Sequence, residues 1–192
     1  MIQAIGLVLI AVLAENMVLV RCMGYGWPRS VIQSEDSAFR MGTGILLVMV
    51  FNSVAAWAVN RFILEYFGLT HLRILVYALL VPGVIWMLRR LLGGFFPGLF
   101  SYVKDYLTYS LYNCAVMGTA YIITLRNYTL GQRFLYALAS GIGVLLVLII
   151  YTGMQDQASF EKCPKWFRGI PIELITAGLM GLALMGFYGL HV

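Results

Sequence analysis

The chain has 192 residues, of which 61% are hydrophobic and only 11% charged, whereas a soluble domain carries roughly 25% charged residues. No polar stretch is long enough to form a soluble domain, so the composition excludes one. The net charge of +5 does not point to nucleic acid, because the basic residues stand at the ends of apolar runs, where they set membrane orientation.

Six apolar runs approach the roughly 20 residues that cross a bilayer. They predict spans at 2–22, 43–63, 72–92, 99–125, 131–152 and 169–190. The first opens with Met1-Ile2-Gln3-Ala4-Ile5-Gly6, which lacks the basic region of a signal peptide, and no small-residue cleavage site follows, so this span is expected to be retained. Glu15 and Asn16 fall inside it, and glycines break its tail, Cys22-Met23-Gly24-Tyr25-Gly26. A link at 23–42, holding Trp27-Pro28-Arg29, leads to the second span, and the third ends at Arg89-Arg90. The fourth is interrupted too, by Lys104 and Asp105 and then by Tyr112-Asn113-Cys114-Ala115-Val116-Met117-Gly118. The fifth contains Gly141-Ile142-Gly143. A link at 153–168, holding Cys163-Pro164-Lys165, precedes the sixth, which begins around Gly169-Ile170-Pro171.

Basic residues orient the spans. The first, third and fifth links carry Arg21, Arg29, Arg40, Arg89, Arg90, Lys104, Lys162, Lys165 and Arg168, nine in all, against four (Arg61, Arg73, Arg126 and Arg133) on the second and fourth. The odd links are therefore expected in the cytoplasm and both termini outside.

The chain also repeats itself. The run from Gly42-Thr43-Gly44 to Val50 returns from Gly141-Ile142-Gly143 to Ile149 at an offset of 99, Asn16 matches Asn113 at 97, and Leu72-Arg73-Ile74-Leu75 faces Ile172-Glu173-Leu174-Ile175 at 100. Two related halves with an odd number of spans each must lie in opposite orientations. The expectation is an all-α integral membrane fold, one transmembrane domain over 1–192, with inverted three-helix repeats at about 1–92 and 99–192 and interrupted first and fourth helices. Interrupted helices from the two halves of such proteins meet at mid-membrane to build a site.

A polar group in hydrocarbon costs free energy unless it faces protein or water, and a broken helix must be buried in protein or line a cavity. Glu15 is thus either an ion or proton relay, or a carboxylate paired with an arginine or capping a half-helix. Cys22 and Cys114 are metal ligands or ordinary packing, since buried cysteines behave as small hydrophobes. Two thiolates supply half of an iron–sulfur site, so a metal reading demands a partner chain. Three scattered cysteines make no disulfide framework, and Cys163 has no companion. Glu173 reads as the acidic first turn of a helix. The glycine pairs suit close helix packing, and the tyrosines and tryptophans are interface anchors. His71 and His191 are at span ends, and no catalytic triad, phosphate loop or histidine cluster exists.

Asn16-Met17-Val18-Leu19-Val20, Asn113-Cys114-Ala115-Val116-Met117-Gly118 and the stretch from Phe167-Arg168-Gly169-Ile170-Pro171 through Met180 are similar to motifs of one family. It comprises membrane components of the Rnf (Rsx) electron-transport complex, the A subunit in particular, and of the sodium-pumping NADH:quinone reductase, the E subunit in particular. The resemblance covers nearly all 192 residues. It implies a bacterial or archaeal inner-membrane subunit that pairs with a homologous, inverted, E-like partner and works beside the Rnf B, C, D and G subunits. The pair would hold a [2Fe-2S] cluster near mid-membrane, each chain donating two cysteines. Electrons would cross by it in a complex that couples ferredoxin–NAD chemistry to Na+ or H+ movement. The resemblance places Cys114 on one ligand position but Gly26 on the other, with Cys22 four residues earlier as the candidate substitute.

On this reading the chain is a redox-complex subunit without a complete active site of its own. Glu15, Asn16, Gly24, Gly26, Asn113 and Gly118 would support the broken helices, with lipid around the spans. The alternatives are a secondary transporter or ion-conducting scaffold, and a structural relative that has lost the cluster.

Overall fold

A computed structural model describes residues 2–24, 34–160 and 170–186. The described residues are mostly helical, with no strand among them. Helix α1 (Ile2–Leu9) runs into a π-turn, Ile10–Ala14, and ends at Glu15, whose N–H donates to the Ile10 carbonyl at 2.7 Å. Helix α2 (Glu35–Val59) runs through a second π-turn, Asn60–Leu64, into the short α3 (Glu65–Phe67). Then come α4 (Arg73–Phe95), α5 (Pro97–Leu107), a 3-10 turn (Tyr109–Tyr112), α6 (Cys114–Leu125), α7 (Leu130–Phe160) and α8 (Ile170–Met185).

Three of these helices are long and apolar enough to cross a membrane: Glu35–Phe67, Arg73–Phe95 and Leu130–Met154. Cys114–Leu125 and Pro171–Met185 are apolar but shorter. Both expected interruptions are present, at Glu15 and at Asn113. The edges differ from the hydropathy reading, because capping rather than apolarity sets them. Helix α2 starts at Glu35, not 43, since Ser34 accepts from the Ser37 N–H and Glu35 and Asp36 stand in the first turn. Helix α7 runs past residue 152 through Gln155-Asp156-Gln157, because polar residues continue a helix once it has left the apolar layer.

The core forms where α2 and α7 pack along each other. An added Cβ on Gly42 would stand 2.9 Å from the Leu145 Cγ and 3.1 Å from its Cα; one on Gly141 would stand 2.8 Å from the Leu46 Cγ and 3.1 Å from its Cα. The contact is reciprocal at an offset of 99. Each glycine admits the other helix's leucine, the close approach that small residues permit. Around this pair pack Ile45, Val48, Met49, Val144, Val147 and Leu148 from the two long helices, with Val103 and Leu107 of α5 and Ala115 and Val116 of α6. Polar side chains tie the layers: Asn52 donates to the Val116 carbonyl at 3.3 Å, and the Tyr77 and Thr124 hydroxyls meet at 3.0 Å. Helix α8 is the least embedded; Leu174, Leu179 and Leu182 are exposed.

Gly42→Ala and Gly141→Ala are expected to destabilise the chain by similar amounts, each about 1–3 kcal/mol, because overpacking forces the backbones apart. Gly83→Ala, where an added Cβ meets nothing within 4 Å, is expected to be neutral or to stabilise by up to about 1 kcal/mol through helix propensity. Unfolding in mixed detergent micelles, followed by circular dichroism, measures all three. Neutral results at both 42 and 141 would show that the two helices are not in close contact.

Candidate functional site

A helix that stops inside an apolar layer leaves backbone groups without partners, and each buried orphan costs free energy. Both breaks answer this with an asparagine. The Asn16 Oδ1 accepts from the N–H groups of Val18 at 3.0 Å and Leu19 at 3.3 Å, and its amide donates to the carbonyls of Val12 at 2.9 Å and Gly143 at 3.3 Å. One side chain, buried at 1% exposure, thus closes the turn after the break, satisfies the turn before it and fastens both to α7. Asn113 caps α6: its Oδ1 accepts from the Ala115 N–H at 2.9 Å, while its buried Nδ2 has no partner among the described residues.

The two breaks meet. Beyond the turn at 17–20 the chain runs non-helically through Cys22, Met23 and Gly24, and the Gly24 N–H donates to the Cys114 Sγ at 2.8 Å. Gly24 has φ +82, and a Cβ there would collide with the Asn113 Oδ1, so only glycine fits. One residue back, the Met23 thioether occupies the space that a side chain on Gly118 would need. Gly24 and Gly118 together lay the 22–24 segment across the first turns of α6.

Cys114 is the first residue of α6 and Cys22 lies in the crossing segment at φ +52; both are exposed. The Cys22 thiol donates to the Leu19 carbonyl at 3.9 Å. One intervening residue, Met23, limits the separation of the Cys22 Cα from the Cys114 Sγ to about 9 Å. Gly26 and Cys163 lie outside the described residues.

Glu15, at the end of the first π-turn, is ion-paired. The Arg126 guanidinium contacts its Oε1, Arg21 stands 3.6 Å from the same oxygen, and the buried Tyr136 hydroxyl donates to Oε2 at 3.1 Å. Arg126 follows the last turn of α6. Its hydrogen bond to Glu15 raises its pKa further above the usual arginine range, so this cation stays charged at any working pH. The cluster borders a cleft of about 400 Å³ lined by Gly6, Leu7, Ile10, Arg126, Tyr128, Gln132 and Tyr136. Of the two readings of Glu15, the arginine pair is the observed one. Glu173 stands in the first turn of α8, as its sequence position suggests. Lys104 and Asp105 are on α5, exposed and short of the break.

Sequence reasoning missed Arg126, Tyr136, Met23 and Asn52. The only signal for the first two was an arginine at the start of the short fourth link and a tyrosine early in the fifth span, which read equally as an orientation charge and an interface anchor. Among the described residues no three His, Cys, Asp or Glu side chains come together. Among the described residues the candidate donor set is therefore two sulfurs, a fit to half of a four-thiolate cluster.

Long apolar helices around two asparagine-capped breaks that touch through a cysteine define an integral membrane protein with interrupted helices. The chain belongs to the family described as Rnf-Nqr subunit, membrane protein, whose model matches residues 4–191. It is 35% identical to the A subunit of the ion-translocating oxidoreductase complex of Edwardsiella ictaluri, over 93% of each chain. It is 33% identical to the protein of that name from Syntrophotalea carbinolica, over 94% of this chain and 93% of the relative. For the one from Cereibacter sphaeroides the identity is 35%, over 93% and 92%.

Removing the two capping side chains is expected to have unequal effects. Asn113→Ala loses one helix cap, about 1 kcal/mol. Asn16→Ala strands two buried N–H groups and the Gly143 carbonyl, for about 2–4 kcal/mol. The micelle unfolding assay ranks them; equal losses would mean that the bonds Asn16 makes beyond a single helix cap contribute nothing.

Proposed function

We propose that this chain is the A-type membrane subunit of an ion-translocating oxidoreductase complex and carries electrons across the membrane by way of a [2Fe-2S] cluster shared with a homologous, inverted partner. The observation that carries the reading is the Gly24–Cys114 hydrogen bond, which joins the two helix breaks at a cysteine. Family membership and relatives named as subunits of such a complex support the rest.

In this role Cys114 is a ligand and Cys22 stands in for the residue the family has where this chain has Gly26. Both sulfurs are exposed, so a partner chain has access to them. The cluster, when bound, supplies a one-electron redox centre. The residues here hold its environment: the Gly24 N–H and the start of α6 both direct positive dipole at the Cys114 sulfur, where negative charge on a ligand is stabilised and a potential is tuned. Asn16 and Asn113 keep the two half-site segments in register.

Six spans in two inverted halves are part of the proposal. The reciprocal Gly42–Leu145 and Gly141–Leu46 contacts and the matching asparagine breaks support it. So does the parallel placement of Gly44 against Val103 of α5 and Gly143 against Val12 of the first π-turn. The chain would lie in the inner membrane with both termini outside, beside an E-like partner and the B, C, D and G subunits, in a complex that moves Na+ or H+. A transporter reading draws on Glu15, but that carboxylate is engaged by two arginines and a tyrosine.

Iron quantification and EPR on the purified complex test the proposal. Wild type is expected to show a [2Fe-2S] signal that Cys114→Ala and Cys22→Ala each abolish. If Cys114→Ala alone abolishes it, the ligand beside Cys114 is not Cys22. A wild-type complex without this signal sinks the electron-carrying role.

A further inference from the structure

The α4–α5 corner carries charges that the redox reading does not use. Helix α4 ends at Phe95 and α5 begins at Pro97, joined by Phe96 alone. Counting back from the corner at the helical rise, Arg89 on α4 stands about 9 Å away and Lys104 on α5 about 10 Å away, so the two occupy one level. Between them in sequence, residues 91–103 contain no charge, and Leu91, Phe95, Phe96 and Leu99 are exposed. Arg89, Phe100, Lys104, Asp105, Thr108 and Tyr109 line a cleft of about 530 Å³. The Arg89 guanidinium donates to the Thr108 hydroxyl, and beside the cleft Arg90 lies over the Trp86 ring at 5.0 Å.

Two cations, Arg89 and Lys104, thus share the cleft with one carboxylate, Asp105. Among the described residues neither Arg89 nor Lys104 has an ion-pair partner, although Asp105 lines the same cleft. The exposed Arg89 and Arg90 lie within Arg73–Phe95, a helix long and apolar enough to cross a membrane, among the exposed Trp86, Met87 and Phe95; a charge on a lipid-facing surface is costly without a counter-charge. The cleft therefore matches a ligand with an anion at one end and apolar chains at the other.

We infer that the Arg89–Lys104 cleft binds the phosphate of an anionic phospholipid, whose acyl chains lie along the exposed face of α4 past Trp86 and Met87. Arg89 keeps free N–H donors beyond its bond to Thr108, Lys104 supplies an unengaged ammonium, and Thr108 and Tyr109 add hydroxyls for the headgroup. Asp105 works against the anion and sets the net attraction. The inference stands independently of the cluster.

Native mass spectrometry of the full chain, titrated with phosphatidylglycerol or phosphatidylcholine in detergent, provides the test. Each basic residue near an anionic lipid is worth about 1 kcal/mol, so Arg89→Gln with Lys104→Gln is expected to weaken the tightest phosphatidylglycerol adduct about 30-fold, and Lys104→Gln alone about 5-fold. Asp105→Asn should strengthen it, a change that loss of folding cannot mimic. Arg61→Gln, on the far side of the chain's charge pattern, should leave it unchanged. Phosphatidylcholine is expected to bind more weakly than phosphatidylglycerol to wild type, and inorganic phosphate is expected not to displace the lipid. Equal phosphatidylglycerol retention by wild type, Lys104→Gln and Asp105→Asn would overturn the inference and assign the cations to a carboxylate of another protein. Displacement by inorganic phosphate would overturn it too, reducing the site to a simple anion pocket.

Discussion

Everything distinctive in this chain follows from stopping two helices inside an apolar layer and finding partners for the backbone groups thereby released. Asparagine suits the task because its side chain both accepts and donates. At the first break Asn16 uses both capacities: Oδ1 accepts from the N–H groups of the following turn, and Nδ2 donates to carbonyls of the preceding turn and of α7. At the second break Asn113 uses Oδ1 in the same way. Aspartate would bring a charge and serine would lack the reach to serve both sides. With the breaks closed, Met17, Val18 and Leu19 after the first break are buried in the protein rather than unravelled.

The breaks need a rigid frame, and the α2–α7 pair supplies it. Glycine at 42 and 141 lets each helix seat the other's leucine against its backbone, which fixes axial position as well as distance. Asn52 on α2 then holds the Val116 carbonyl, and the Gly143 carbonyl on α7 holds Asn16. Each break is therefore anchored to a long helix. The meeting of Gly24 with Cys114 depends on both anchors, and so would the position of any ligand that the sulfur binds.

The cluster around Glu15 shows how charge is managed beside the first break. One carboxylate faces Arg126, Arg21 and the Tyr136 hydroxyl, so the group that a hydropathy plot marks as out of place is fully engaged. It ties the end of the first π-turn to the end of α6. At the α4–α5 corner the arrangement is the opposite: there Arg89 and Lys104 have no ion-pair partner among the described residues, and Arg89 donates to the Thr108 hydroxyl.

Much of this was legible in the sequence. Apolar length and charge placement delimit the long helices, and the polar runs at Glu15-Asn16 and Tyr112-Asn113 mark both breaks, because an unsatisfied polar group in an apolar segment is informative wherever it occurs. The shared offset of the Gly42 and Gly141 runs anticipated that they play equivalent parts. Helix edges were misjudged where a cap such as Ser34 or a polar extension such as 155–157 overrides hydropathy. What the sequence by itself determined, then, is that the chain is a membrane protein with two helix breaks, each marked by an asparagine. Only the tertiary structure decided which residues complete them: Arg126 and Tyr136 for Glu15, Gly143 for Asn16, and Gly24 for Cys114. These partners are 90 to 127 residues apart in the chain. Local periodicity carries no record of such pairings, because they are fixed by how α2 and α7 pack and by which way each broken helix turns.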